Sequence, residues 1–414
     1  MPAPPARPVA AAADWADPLR TIGVTGTNGK TSTTWMIAAA LRAAGRSALR
    51  VSTLGVALDD TTLRRGKTFS DFLSTMRHAA DSGCRDAVIE VTSYALAGAY
   101  AQRWRFDLGV FTNLSAEHFG THKSWEHYLA AKAQLFIHLG PGRVAVLNAA
   151  DPHALFLDQA IPRDVTRRWF AAPNRGERLR DADLAAARCE LGPHGTRVHL
   201  EPSPLAEVLG GMLTTRMIGE VFAENALAAA LAALAAGVPP DAVVRGIADC
   251  PVVPGRFEVL AHGDDRPTVA VDYAHSPDAL AHTCATARRL AGERRVIVVF
   301  GTGGGQTVDK RREMGEAVGA RADLAIVTSD NPRDDDPAEL AAPLLAGLRA
   351  FAGRVAVEDQ PDRAAAITRA LAVARAGDVV VIAGKGHESG QVVRGRTLPF
   401  SDVDVVRRCL GEPP

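Results

Sequence analysis

The sequence predicts an α/β protein in which a P-loop-containing domain is followed by a Rossmann-like, doubly wound domain. Three observations lead to this prediction. Short apolar runs end at polar or glycine positions and are followed by helix-forming stretches rich in Ala and Leu. A glycine loop follows the first run, and a Pro/Gly segment at residues 250–255 precedes a second series of such runs.

The apolar runs define the elements of both domains in order. In the first half they predict an antiparallel appendage over 163–215, a helix over 220–234, and strands at 21–24, 87–91, 108–113 and 144–148. In the second half strands are expected at 269–273, 295–300, 324–328, 355–358 and 379–382. We therefore expect a disordered Pro/Ala-rich tail over residues 1–20, a first domain over 21–252 and a second domain over 253–414.

The composition argues against several classes of partner. Lys and Arg together number 47, as do Asp and Glu, so no net charge attracts nucleic acid or an anionic membrane. No apolar run approaches the roughly 18 residues of a membrane helix, and the first residues lack the order of a secretory signal. The five cysteines are far apart and lack metal-ligand spacing, as expected in a reducing cytoplasm. We expect a cytoplasmic protein that binds small molecules.

The loop after the first strand has the composition of a triphosphate-binding loop. Glycines let backbone N–H groups face phosphate oxygens, the following helix N-terminus adds positive charge, and a lysine and a hydroxyl can bind the outer phosphates and Mg²⁺. Val24 stands where the general pattern has its first glycine, so that pattern is only partly met. A helix-initiating turn would explain the glycines but not the Lys-Thr pair. The residues expected to bind ATP and Mg²⁺ are Gly26, Thr27, Asn28, Gly29, Lys30, Thr31 and Ser32.

In the second half, segments rich in charge or glycine follow four predicted strands, at residues 272–277, 301–305, 330–333 and 384–388. Any one of them could be ordinary turn chemistry. Because the carboxyl ends of parallel strands meet at one edge of a sheet, the four together predict a binding face.

Several segments resemble, in order along the chain, the signature segments of the Mur ligases. They are residues 25–31, Glu90 in an apolar strand, 113–115 followed by His118 and His122, 128–136, 254–258 and 272–277. Residues 330–333 and 384–388 are similar to the MurE type, the subgroup that adds meso-diaminopimelate to UDP-N-acetylmuramoyl dipeptide. The resemblance covers nearly all of the chain from Thr21 onward.

The resemblance implies ATP-dependent amide-bond formation through an acyl phosphate. It implies that Thr31, Glu90, His118 and Lys132 serve the metal site, and that Lys30, Glu90, His118 and Lys132 are catalytic. Lys132 matches a lysine that is carbamylated in this family and helps to position Mg²⁺. Without the resemblance, Lys132 would be interpreted as an exposed helix lysine and His118 as a loop histidine.

Further site residues are implied by the same resemblance. Nucleotide contacts are expected from Arg256, Asp272, His275, Lys310 and Arg311, with Asn148, Asp151 and Asn225 around the adenine or the hinge. Substrate contacts are expected from Thr92, Ser93, Tyr94, Asp330, Asn331, Arg333, Gly384 and Glu388. Arg333 suits a distal carboxylate of the incoming amino acid and Glu388 its distal ammonium, as in diaminopimelate.

Three features depart from the MurE pattern. The nucleotide loop begins after about twenty residues, so no preceding UDP-binding domain is expected. Residues 67–71 replace a Thr-Thr-Pro acceptor motif, and Tyr94 replaces a histidine. Residues 303–307 replace a Gly-Gly-Asp-Arg-Asp pattern, which removes one arginine and two acids near the amine.

We therefore expect a ligase that joins a diaminopimelate-like amino acid to a UDP-free peptide or small acid. Three alternatives remain: a UDP-muramoyl-dipeptide ligase whose partner protein helps to bind the acceptor, a folylpolyglutamate-synthetase-like ligase, and a non-catalytic ATP-binding subunit. Residues 330–333 and 384–388 argue against the second alternative. The joint presence of Lys30, Glu90, His118 and Lys132 argues against the third.

Overall fold

The computed structural model describes residues 15–64, 66, 68–115 and 124–413. The chain forms two compact units. The first contains the described residues up to Glu190, with Arg197–Arg216 and Val221–Cys250, and the second contains Leu191–Thr196, Met217–Glu220 and the chain from Pro251 onward. No helix within the described ranges is both long and apolar enough to cross a membrane.

The first unit is built on one large sheet. Its described strands are β1 (Arg20–Thr25), β2 (Ala48–Ser52), β3 (Gly55–Leu58), β4 (Thr61–Leu63), β5 (Asp86–Glu90), β6 (Leu108–Phe111), β7 (Val144–Asn148), β8 (Thr166–Ala171), β9 (Leu184–Gly192), β10 (Gly195–Leu200) and β11 (Met212–Thr215). Their order is β11-β10-β9-β8-β7-β6-β1-β5-β2-β3-β4. β1 pairs in parallel with β5 and β6, and these strands are nearly continuous apolar runs because both faces of the sheet are covered.

The described helices of the first unit are α1 (Lys30–Ala43), α2 (Phe69–Asp81), α3 (Ser93–Ala97), α4 (Tyr100–Arg103), α5 (Trp125–Ile137), α6 (Pro152–Ala160), α7 (Pro204–Val208), α8 (Glu220–Ala235) and α9 (Pro240–Asp249). Side chains cap several of them. Thr68 begins α2 in a capping box with Asp71, and Ser124 begins α5 by accepting from the His127 N–H. These caps fix where each helix starts after its loop.

Residues 163–215 continue the sheet, so the predicted antiparallel appendage is wrong for its first strands. β8 pairs in parallel with β7 and, at its end, with β9. Strand β8 joins the large sheet because Trp169 and Ala171 bury their side chains in the core of the first unit. Strand β10, whose residues alternate in burial, lies near the edge of the same sheet.

The predicted disordered tail spans residues 1–20, of which 1–14 lie outside the described residues. Ala16 and Leu19 are buried in the first core, and the Trp15 ring lies 6.0 Å from that of Trp104. The packed chain therefore begins before residue 21, because these side chains bury apolar surface against the sheet.

The second unit has a smaller sheet. Its strands are β12 (Glu258–Gly263), β13 (Arg266–Asp272), β14 (Val296–Phe300), β15 (Leu324–Val327), β16 (Ala356–Asp359) and β17 (Val379–Ala383), in the order β12-β13-β17-β14-β15-β16. All neighbours from β13 to β16 pair in parallel, and β12 is an antiparallel edge. This is the predicted doubly wound arrangement, and its ligand edge lies at the carboxyl ends of the strands.

The described helices of the second unit are α10 (Pro277–Ala291), α11 (Val308–Gly319), α12 (Pro337–Arg349), α13 (Arg363–Val373) and α14 (Asp402–Leu410). A separate hairpin is formed by β18 (Gly390–Val393) and β19 (Arg396–Pro399). The hairpin contacts the segment that follows β15, where Arg333 forms a bridge with Val393.

Candidate active site

The loop between β1 and α1 has the backbone shape expected for phosphate binding. Gly29 precedes α1 with a φ of 84°, in the left-handed region. A Cβ at this position would lie 2.2 Å from Asn225 Oδ1, so only glycine fits against α8. The first N–H groups of an α-helix have no acceptor within the helix and can receive an anion.

The segment after β6 holds this loop from the side. Thr27 N donates to Asn113 O at 2.8 Å, and Asn28 N donates to Asn113 Oδ1 at 2.9 Å. Thr112 Oγ1 donates to Asn28 O at 2.6 Å. The loop conformation is therefore set by the neighbouring strand, and Thr112 is a supporting residue that the sequence analysis missed.

Thr31 and Glu90 meet at the start of α1. Thr31 Oγ1 donates to Glu90 Oε2 at 2.9 Å. Thr53, after β2, donates to the same oxygen from its N–H at 3.0 Å and its hydroxyl at 3.2 Å. A carboxylate and hydroxyls are hard oxygen ligands, so these residues fit Mg²⁺. Thr53 could not be identified from the sequence, because only the pairing of β2 with β5 brings it to Glu90.

Of the remaining predicted metal residues, Lys132 is described below, whereas His118 lies outside the described residues, as does His122. In the part of the chain that the structure describes, no group of three or more His, Cys, Asp or Glu side chains is arranged to hold a metal ion. The fit to Mg²⁺ therefore rests on the oxygen atoms of Thr31 and Glu90. Ser32 is buried in the first turn of α1, beside Thr31.

Lys30 and Lys132 both contact the nucleotide loop. Lys30 Nζ donates to Thr27 O at 2.6 Å. Lys132, on α5, is only 1% exposed, and its Nζ donates to Gly26 O at 2.6 Å and lies 4.4 Å from the centroid of the Tyr128 ring. Lys132 is thus not the exposed helix lysine of the alternative interpretation, because α5 directs it onto the loop.

A buried carboxylate organises the residues expected near the adenine. Asn148 Nδ2 donates to Glu224 Oε1 at 2.6 Å, and Arg175 Nε donates to the same oxygen at 2.8 Å. Asp151 caps α6 and accepts from Leu114 N at 2.7 Å. Glu224 was missed by the sequence analysis, although a carboxylate inside an Ala-rich buried helix is itself a signal.

The three predicted acceptor residues follow β5 in one short segment. Thr92 caps α3 by accepting from Ala95 N at 3.2 Å, and Ser93 is buried. Tyr94 is 77% exposed. Of the three, Tyr94 presents the side chain most able to touch a ligand.

In the second unit, the predicted nucleotide contacts gather around Tyr273. The Asp272 carboxylate is buried and accepts from Phe257 N at 2.6 Å, Ala274 N at 2.8 Å and Thr283 Oγ1 at 3.1 Å. Burial raises the pKa of Asp272 above its ordinary value, against the lowering effects of a nearby arginine and these hydrogen bonds.

The cationic candidates flank the same tyrosine. The Arg256 guanidinium carbon lies 4.6 Å from the centroid of the Tyr273 ring, and His275 Nδ1 lies 2.7 Å from Tyr273 O. Further along the same unit, Lys310 Nζ donates to Gln306 Oε1 at 3.1 Å, in the segment that departs from the MurE pattern.

A carboxylate that lies outside residues 303–307, that of Asp335, contacts this segment. Asp335 Oδ2 accepts from Gly305 N at 2.9 Å and lies 3.6 Å from an Arg311 NH2 group. Arg311 is buried. The segment at 303–307 has lost the two acids of the MurE pattern, and Asp335 places a carboxylate next to it.

The predicted amine residues of the second unit are brought together at the ends of β15 and β17. Asn331 Nδ2 donates to Glu388 Oε2 at 3.0 Å. Arg333 is exposed and has a φ of 57°; its N–H donates to Val392 O at 2.9 Å, and its carbonyl accepts from Arg394 N at 2.6 Å. The hairpin therefore fixes the backbone from which Arg333 projects. Asp330 and Gly384 line the same strand ends.

A nucleotide loop on one α/β unit and a charged ligand edge on a second are the organisation of an ATP-dependent ligase. Comparison with known proteins gives the family. The description "Mur ligase middle domain" matches residues 24–233, and "Mur ligase, glutamate ligase domain" matches residues 255–386. The chain belongs to the Mur ligase family.

Individual relatives agree with this family. The chain is 37% identical over 94% of its length to the UDP-N-acetylmuramoyl-L-alanyl-D-glutamate–2,6-diaminopimelate ligase of Solibacter usitatus, of which it covers 76%. It is 36% identical over 95% of its length to the protein of the same name from Aquifex aeolicus, of which it covers 78%.

Solved structures show the same fold. A structure of a UDP-N-acetylmuramoyl-L-alanyl-D-glutamate–2,6-diaminopimelate ligase superposes with a TM-score of 0.65 at 31% identity, covering 95% of this chain and 78% of the other. A Mycobacterium tuberculosis folylpolyglutamate synthase complexed with ADP and AMPPCP gives 0.69 at 22% identity, covering 97% and 94%. The predicted fold class, the Mur ligase resemblance and the assignment as a ligase enzyme are confirmed.

Proposed function

We propose that this protein joins a diaminopimelate-like amino acid to the carboxylate of a UDP-free peptide or small acid, using ATP and Mg²⁺. The observation that carries the proposal is the convergence of Lys30, Lys132, Thr31 and Glu90 on one glycine loop. Such a site concentrates positive charge and hard oxygens where several phosphate oxygens must be bound.

The first step transfers the γ-phosphoryl group. An acceptor carboxylate oxygen bonds to the γ-phosphorus, the bond to the β–γ bridging oxygen breaks, and ADP leaves. Lys30 and the N-terminus of α1 offset the charge that develops on the phosphoryl oxygens. Thr31 and Glu90 would hold Mg²⁺, which when bound neutralises phosphate oxygens.

In the second step the amine nitrogen bonds to the acyl carbon and phosphate leaves from the tetrahedral intermediate, with loss of one amine proton. The second unit is suited to the incoming amino acid. The Arg333 guanidinium can bind a distal carboxylate through two parallel hydrogen bonds. Glu388 can accept from the distal ammonium of the same molecule. A diaminopimelate-like head carries both groups.

The acceptor is proposed to lack UDP because the acceptor segment departs from the MurE pattern. Tyr94 presents a phenol ring that is 77% exposed, where the MurE type has an imidazole. A second candidate is the UDP-linked muramoyl dipeptide, which the names of the relatives from Solibacter usitatus and Aquifex aeolicus favour for those proteins.

The experiment separates the two candidates. Purified protein is incubated with ATP, Mg²⁺ and diaminopimelate, lysine or alanine, and with UDP-linked muramoyl dipeptide, its UDP-free counterpart or small acids. ADP formation and the mass of the amide product are measured together. We expect the highest turnover with diaminopimelate and no gain in kcat/KM from the UDP moiety, as the altered acceptor segment suggests; a remote substrate group raises kcat/KM only through contacts with the protein. A strong preference for the nucleotide-linked acceptor establishes the second candidate, and ADP without any amide product removes both.

A further inference from the structure

Lysine is rare in this chain. Of its 47 Lys and Arg residues only six are lysine. Four of the six lie in the part of the chain that the structure describes, namely Lys30, Lys132, Lys310 and Lys385. The first three are already placed at predicted ligand segments. A chain that uses arginine almost everywhere else has kept lysine at 385, where the function proposed above gives it no task.

The ammonium of Lys385 is surrounded by acceptors. The residue is fully buried. Its Nζ donates to Gly390 O at 2.8 Å and to Asn331 Oδ1 at 2.9 Å. It also lies 3.4 Å from Asp330 Oδ1 and 3.4 Å from Glu388 Oε2. Four oxygens from two chain segments, 330–331 and 388–390, therefore converge on one nitrogen.

These contacts tie together the side chains proposed to bind the amine. Glu388 Oε2 accepts from both Lys385 and Asn331, which leaves Oε1 without a protein partner among the described residues. Asn331 Oδ1 accepts from Lys385 and also from Val392 N at 2.9 Å, in the hairpin that holds Arg333. The orientation of the Glu388 and Asn331 side chains thus depends on the position of the Lys385 ammonium.

A buried ion pair between Arg363 and Asp402 restricts the residues around Lys385. Arg363 is fully buried and forms two 2.7 Å hydrogen bonds to the two oxygens of Asp402, and it donates to Ala383 O at 3.0 Å. Gly384, between this pair and Lys385, has a φ of 122°, and a Cβ there would lie 2.9 Å from Asp330 Oδ2. The strand ends are packed too closely for the side chains to rearrange freely.

The charges of this cluster are not balanced within it. Lys385 and Arg363 are cations, whereas Asp330, Glu388 and Asp402 are carboxylates. One negative charge is in excess. Among the described residues Glu388 Oε1 has no hydrogen-bond donor, and Asp330 Oδ1, although 3.4 Å from Lys385 Nζ, accepts no hydrogen bond. A ligand ammonium at Glu388 would balance the cluster, whereas loss of Lys385 would leave two buried or half-buried carboxylates facing each other.

Resting on the function proposed above, we propose that Lys385 is a positioning residue that holds Asn331 and Glu388 in the geometry that binds the incoming amino acid. Arginine cannot replace it. A planar guanidinium directs its donors in one plane, whereas a compact ammonium can serve oxygens arranged around it. This difference accounts for a lysine at 385 in an arginine-rich chain.

The test compares Lys385→Met, Lys385→Arg and the control Arg369→Met, which breaks an exposed ion pair with Glu358 in the same unit. For both Lys385 variants the KM for the amino acid should rise about tenfold or more, because charge-assisted hydrogen bonds are lost, while the KM for ATP stays unchanged. Arg369→Met should change neither constant. An unchanged amino-acid KM in a folded Lys385 variant overturns the role, as does an equal rise in both constants.

A double variant covers the case in which Lys385→Met folds poorly. Glu388→Gln removes the excess carboxylate charge, so Lys385→Met/Glu388→Gln should fold better than Lys385→Met. If Lys385 acts through Glu388, the amino-acid KM of the double variant should lie within about twofold of Glu388→Gln alone. If the rise in amino-acid KM of the double variant equals the product of the rises in the two single variants, Lys385 does not act through Glu388 and the positioning role is overturned. If the wild-type protein makes no amide product with any amino acid, the proposed function fails first and this role fails with it.

Discussion

Two buried lysines, Lys132 in the first unit and Lys385 in the second, are held in different ways. The described contacts of the Lys132 ammonium include the carbonyl of Gly26 and the face of the Tyr128 ring. The Lys385 ammonium lies between the carboxylates of Asp330 and Glu388. Both side chains are buried, but Lys132 contacts the nucleotide loop whereas Lys385 contacts two carboxylates at the strand ends.

The two carboxylates beside Lys385 bear on which nitrogen can change its charge. Carbamylation turns an ammonium into an anion, whose oxygens could serve as ligands of a Mg²⁺ bound at the nucleotide loop. The same change at Lys385 would place a third negative group against two carboxylates, which like-charge repulsion opposes. We therefore expect carbamylation at Lys132, and we expect Lys385 to remain an ammonium with fixed contacts.

The largest effect is expected at the nucleotide loop itself. Lys30→Ala removes the lysine cation from the γ-phosphoryl site, and chelation removes the Mg²⁺ cation from it. Each change should lower the rate of ADP formation by about 10³-fold. Lys30→Arg is the matched variant that keeps the charge. Near-normal turnover in Lys30→Ala would take the loop out of the mechanism.

Lys132→Ala tests the first half of the comparison. It should lower turnover by about 10²-fold or more, and short-chain carboxylic acids should restore part of it by occupying the vacated space. Mass analysis of the intact, nucleotide-bound protein should find a carbamate at Lys132 and none at Lys385. An unmodified Lys132 in active enzyme would contradict the proposed modification and leave the ligase assignment intact.

The sequence alone could predict those parts of the site that are continuous in the chain. The loop from Gly26 to Thr31 and the parallel strands follow from local patterns. Thr53 and Glu224 could not be found in this way, because each acts through a partner that only strand pairing or helix packing brings near. Strand β8 was misassigned for the same reason, since its parallel partner β7 is separated from it by a helix.

Lys385 shows a different limit. It lies inside a segment that the resemblance identified, yet the resemblance drew attention to Gly384 and Glu388 on either side. Nothing in the local sequence indicates that four acceptors converge on its nitrogen. The rarity of lysine in the whole chain was the one signal available, and it becomes informative only beside the structure.

Arg333→Lys tests the ligand edge of the second unit. Lys keeps the charge and meets the same backbone demand at a φ of 57°, but it cannot form two parallel hydrogen bonds to a carboxylate. Because Arg333 is exposed, we expect a rise in the diaminopimelate KM of about tenfold, with the ATP constant unchanged. Equal use of diaminopimelate, lysine and alanine by the wild-type protein would show that Arg333 binds no distal carboxylate.

The smallest effect concerns the buried Asp272, a carboxylate whose pKa burial raises. Below about pH 4 the carboxyl is protonated in both the folded and the unfolded chain. As the pH rises further, the unfolded chain releases its proton first, so the folded state binds more protons and stability falls until the folded pKa is passed. The slope from one such group approaches about −1.4 kcal/mol per pH unit.

In Asp272→Asn the side chain does not titrate, so the variant should lose the pH dependence of stability that comes from Asp272. The amide keeps an acceptor oxygen and carries no charge. Hydrogen exchange at the Phe257 and Ala274 amides, which donate to the Asp272 carboxylate, reports this region of the second unit directly. Protection in the wild-type protein should decline from about pH 4 upward relative to the variant, after correction for intrinsic exchange. Parallel profiles in the two proteins would mean that the three hydrogen bonds and Arg256 outweigh burial.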